Sequence, residues 1–101
     1  MRPIDLALYA DTLTGEAIAL QARAERARAR IRQAAIERRA RAELRPATCR
    51  RLEALGVIGA VDERAARDEL AEVTDSLTAL RELQAWVESK LAATGDGLPR
   101  C

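Results

Sequence analysis

The side chains able to do chemistry in this chain are few in kind. There are two cysteines, Cys49 and Cys101, and no histidine, and no CxxC occurs. A structural zinc site built from Cys and His is therefore not expected. Neither thiol has an imidazole to act as its base. The carboxylates Asp68, Asp75 and Glu82 recur seven residues apart. On a helix, seven residues span about 10 Å, too far for two carboxylates to work as an acid–base pair. No glycine-rich phosphate loop is present. The expectation is a chain that is not an enzyme and needs no cofactor or metal.

Arginine is the exception. Between Arg23 and Arg51 eleven arginines face three glutamates, although the net charge of the whole chain is only +1. Between Asp62 and Lys90 eight acids outnumber four bases. This reads as a basic half and an acidic half that pair with each other. The arginine-rich stretch 23–45 also has the cation density that phosphate contacts need. Arg23, Arg26, Arg28, Arg30 and Arg32 are the candidate contacts if nucleic acid is the partner. Against that reading, the arginines flank a helical face on both sides. Aromatic residues, which would stack on bases, make up only 2% of the chain.

The elements that carry these residues follow from spacing. Ala66, Leu70, Val73, Leu77, Leu80, Gln84, Val87 and Leu91 are separated by alternating gaps of four and three. That is a heptad seam, and a helix with such a seam must lay it against another helix. Asp62 is placed to cap this helix, expected over about 62–93. A first long helix is expected over about 3–44. Pro3 suits its first position and Asp5 its first turn. Gly15 lies inside it, either as a hinge or as a local cost. Its inner face reads Leu13, Ala17, Leu20, Ala24, Ala27, Ile31, Ala35 and Ala42, with Arg38 intruding. These small residues would let two helix axes approach closely, with the larger residues of the second seam filling the space. Pro46 must end the first helix and push Arg45 into extended geometry.

A short helix is expected over about 46–55, stopped by Gly56. Leu52, Leu55 and the apolar turn to Val61 would plug the closed end. Residues 47–58, Ala-Thr-Cys-Arg-Arg-Leu-Glu-Ala-Leu-Gly-Val-Ile, resemble the end of a recognition helix in winged-helix regulators, where an apolar ending leads into the wing. The resemblance covers this dozen residues alone. A long helix stands on each side in place of that fold's partner helix and wing, so the stretch is read as a capped short helix.

The fold class is therefore all-α: a long antiparallel two-helix hairpin, coiled-coil-like, with a short connecting helix at the closed end. Residues 1–94 form one domain and 95–101 a flexible tail. The 46–61 connection is short, so the long helices are antiparallel neighbours, with Leu44 near Asp62 and Leu91 near Gly15. Residues 3–13 then overhang, and Ile4, Leu6, Leu8, Tyr9 and Leu13 have no partner within the chain. Trp86 lies on the back of the second helix.

A lone hairpin of this size is marginal, because about 1–2 kcal/mol of backbone entropy per residue opposes a thin core. These points predict a protein–protein interaction or assembly module, an adaptor or structural subunit that meets another protein or a second copy of itself. The candidate interface is Ile4, Leu6, Leu8, Tyr9, Leu13 and Trp86. The alternative is a nucleic-acid-associated protein. No apolar run reaches the length of a membrane span and no secretory signal is evident, so no membrane contact is expected and the cytoplasm is the expected compartment. The two cysteines would then be free thiols.

Overall fold

The structure, a computed structural model, describes residues 1–96. Three helices follow one another: α1 (Pro3–Glu43), α2 (Pro46–Ala54) and α3 (Glu63–Asp96). No strand occurs among the described residues. The fold is a helical hairpin in which α1 packs against α3. The expected tail lies mostly outside the described residues; its first two positions, 95 and 96, continue α3.

The termini form for local reasons. The side chain of Asp62 accepts from the Ala65 N–H at 3.0 Å and its carbonyl accepts from the Ala66 N–H, capping α3. Arg45 is extended (φ −65, ψ 145) before Pro46, so α1 stops there. At the end of α2, Gly56 donates to the Glu53 carbonyl and Val57 to the Leu52 carbonyl, each at 3.0 Å. That pair of bonds is a Schellman stop, and it holds Gly56 at φ +74, where a Cβ is strained. No strand follows, so the winged-helix resemblance ends with the helix. Gly15 is no hinge: α1 runs through it without a break.

Packing falls into two units. The first holds residues Met1–Ala22 and α3 from Val73 onward. Its core is Leu6, Leu13 and Val87, with Ala10, Leu80, Leu83 and Leu91 packed against them. Leu6 also shares a recess with Lys90, Ala93 and Thr94. Leu13 lies beside Gln84 and Val87.

The second unit is Arg23–Glu72. Its buried positions are mostly small: Ala24, Ala27, Ala34 and Ala66, with Cys49 and Ile58. Arg23 meets Glu69 at 2.8 Å, and Arg38 pairs with Glu63. Arg30 shares a recess with Ala65 and Ala66. Leucines of α1 therefore face leucines and valine in the first unit. Alanines of α1 lie with the alanine-rich start of α3 in the second.

These contacts fix the register and correct the expected overhang. Leu6 lies beside Ala93, and Glu63 beside Arg38 rather than Leu44. A short 46–61 connection implies that Leu44 meets Asp62. In the second unit the connection doubles back along the last turns of α1 instead. Arg41 pairs with Glu53 of α2, and its Nη2 lies 3.0 Å from where a Cβ on Gly59 would stand. Ile58 and Cys49 are buried there and Leu52 is half-buried, whereas Leu55 and Val57 are exposed. The part of α1 beyond the start of α3 is thus its C-terminal end, and α2 with its loop covers it. Every α3 seam residue from Ala66 to Leu91 is buried or half-buried. The α1 face holds from Leu13 to Ile31 and starts earlier than expected, at Leu6 and Ala10. Beyond Ile31 it passes to Ala34 and Glu37, while Ala35 and Ala42 are exposed. A strict alternation of three and four predicts this slide, because 34 and not 35 continues it.

Two stability measurements check this architecture. Leu6→Ala should cost about 2–4 kcal/mol in urea unfolding followed by circular dichroism, as for any buried leucine. An overhanging Leu6 would cost almost nothing. Gly15→Ala, where an added Cβ meets open space, should stabilise by about 0.4–1 kcal/mol, and Gly56→Ala, at positive φ, should destabilise by about 1 kcal/mol.

Candidate interaction surface

Burial sorts the candidate residues into two groups. Leu6 and Leu13 are each only 5% exposed and belong to the core of the first unit. They offer no surface, which corrects their place in the candidate interface. The reason is the register described above, which slides α3 over the N-terminal segment. Ile4, Leu8, Tyr9 and Trp86 are exposed.

The exposed four lie in two places. The helical wheel puts Ile4 and Leu8, one turn apart, on the side of α1 away from Leu6 and Leu13. Tyr9 stands on the flank of the α1 core face. Trp86 precedes buried Val87 and stands on the flank of the α3 seam. In an antiparallel pair these two flanks fall on the same side. Lys90, one turn on, places its Nζ 5.8 Å from the Trp86 ring centroid. An exposed contact of this kind contributes about 0.5–1 kcal/mol. It leaves the ring nearly half exposed, at 45%.

Two residues that the sequence reading passed over belong with Ile4 and Leu8. Ile18 is 62% and Ile36 69% exposed, as open as any large apolar side chain of the helices. Their signal was present in the sequence: counted from Ile4 in steps of four and three, both fall on one line.

The arginines divide by partner. Arg23 is held by Glu69 and Arg28 by Glu25, the latter at 2.7 Å. Arg26, Arg30 and Arg32 are exposed and have no ion pair among the described residues. Arg26 and Arg30, four apart, share one side of α1, and Arg28 and Arg32 the other. Ion pairs that join α1 to α3 are only two among the described residues, Arg23–Glu69 and Arg38–Glu63. Each is partly exposed and contributes on the order of 0–1 kcal/mol. The basic and acidic stretches therefore do not neutralise each other along their length. By sequence, the second unit carries thirteen cations and nine acids, and the first four cations and seven acids. Asp68, Asp75 and Glu82 are exposed and have no ion pair among the described residues.

One carboxylate is buried. Glu37, 8% exposed, accepts a long 3.4 Å contact from Gln33 and shares a recess with Arg38, Arg41 and Gly59. Both arginines are themselves engaged, with Glu63 and Glu53. Cys49 is a buried free thiol; Cys101 lies outside the described residues. No group of three potential metal ligands occurs among the described residues. No described helix is long and apolar enough to cross a membrane. No family model, characterised protein or solved structure matches this chain.

Trp86→Ala removes a ring that stands beside the core rather than in it. It should shift urea unfolding by less than about 1 kcal/mol. If Trp86 meets a partner, its fluorescence in the unaltered chain, which has no other tryptophan, should be quenched less by acrylamide at high protein concentration than at low.

Proposed function

We propose that this chain is a small, non-catalytic protein–protein interaction or assembly module that associates with itself in the cytoplasm. The observation that carries the reading is the exposure of Ile4, Leu8 and Ile18, each above 60%, on a helix whose other face is already filled. Scattered apolar residues on a surface need no explanation, but side chains of this size repeated along one helix do. Tyr9 and Trp86 add an aromatic pair of the kind that anchors interfaces. Two features support a non-catalytic role: the chain has no histidine, and its acidic stripe is spaced too widely for acid–base work.

A second reading has its own support. Arg26, Arg30 and Arg32 are unpaired within the described chain, and the second unit has an excess of four cations. Phosphates of a nucleic acid could meet them.

Light scattering of the full chain at tens of micromolar separates the readings. Self-association gives a mass of at least twice 11.1 kDa. It should be accompanied by no affinity for DNA or RNA at moderate salt. A monomer that binds nucleic acid steeply less as salt rises, and loses that binding on Arg26, Arg30 and Arg32→Ala, would select the second.

A further inference from the structure

Resting on the self-association reading, the inference concerns which face meets which and in what direction. From Ile4, steps of four and three along the outward side of α1 reach Leu8, Asp11, Gly15, Ile18 and Ala22 in the first unit. The same steps reach Glu25, Ala29, Arg32 and Ile36 in the second. All ten positions are exposed. This is a second heptad line, on the opposite side of α1 from the buried seam.

The line maps onto itself when reversed. Pairing each residue with the one whose number brings the sum to 40 sets Ile4 against Ile36, Asp11 against Ala29, and Ile18 against Ala22. Charge decides between this reversed pairing and a parallel one. A parallel pairing sets Arg32 and its neighbours against their own copies. The reversed pairing sets Asp11 of one copy among Arg28 and Arg32 of the other, on the same side of the line. Asp11 and Arg32 have no ion pair among the described residues. Arg28 is shared with Glu25. The acidic first unit of one copy thus meets the basic second unit of the other, and two-fold symmetry repeats the contact.

We infer that two copies of this chain pair through the outward face of α1 in antiparallel register, centred near residue 20, with Asp11 of each held by Arg28 and Arg32 of the other.

The test uses the full chain at concentrations from 1 to 100 micromolar, chosen around the affinity of a modest interface, in light scattering and sedimentation. Circular dichroism confirms that each variant stays helical. Ile18→Asp should weaken dimerisation at least tenfold, and so should Asp11→Arg. Mixing Asp11→Arg chains with chains carrying Arg28→Asp and Arg32→Asp should restore a dimer that neither forms alone. A spin label on Ala29→Cys, in a chain with Cys49→Ala and Cys101→Ser, should report about 25–30 Å between copies, from eighteen residues at ~1.5 Å each.

A label separation near 10 Å means a parallel pair and overturns the inference. A dimer indifferent to Ile18→Asp and Asp11→Arg, yet lost on Tyr9→Ala with Trp86→Ala, also overturns it while leaving the self-association reading standing. A monomer throughout the range overturns both.

Discussion

The contact on which this protein depends is the burial of one alternating line of α3 against α1. Val73 and Val87 are fully enclosed in it, and the leucines between them are half-covered by their neighbours. An isolated helix of this length has little stability in water without such an apolar stripe against a partner. The line also restricts what α1 can be. Its inward positions must themselves alternate by three and four, and from Leu6 to Ala34 they do. Beyond Ala34 the alternation would bring Arg38 inward; a second step of three carries the carboxylate of Glu37 into the packing instead, and Arg38 stays exposed.

The two units solve the same burial problem with different materials. In the first, leucines and a valine interlock, so each side chain removes a large apolar area from water. In the second, the enclosed side chains are mostly alanines, and each removes less apolar area from water. The short connection supplies what alanine cannot: Ile58, Cys49 and Leu52 lie against the end of α1, and Arg41 reaches Glu53 beside them. The glycine-held stop at Gly56 aims the chain back along α1 instead of beyond it. In the first unit, the register of Leu6 and Leu13 on α3 determines which apolar residues are left in water.

The surface consequences follow. With α3 drawn over the N-terminal segment, Leu6 and Leu13 are withdrawn into the core, and Ile4, Leu8 and Ile18 remain outside. The ion pairs do not conceal the arginines, because most are local or shared with α2, and the excess cations stay within the second unit. Apolar residues on one side of α1 and unpaired charges of opposite sign in the two units suit a chain that meets another copy of itself.

The helices, their ends and their pairing could be read from the residues alone. Heptad spacing, Pro46, the Asp62 cap and Gly56 are local signals, and local backbone energetics enforces each of them. The same spacing contains the outward line through Ile18 and Ile36. The register could not be read. A heptad seam slides onto its partner in steps of one heptad with every apolar residue still matched, so the pattern is satisfied by more than one alignment. Only the tertiary contacts select among them: Leu6 beside Ala93 and Leu13 beside Val87 in the first unit, Arg38 with Glu63 in the second. That long-range choice buried Leu6 and Leu13 and left Ile4, Leu8, Tyr9 and Trp86 exposed.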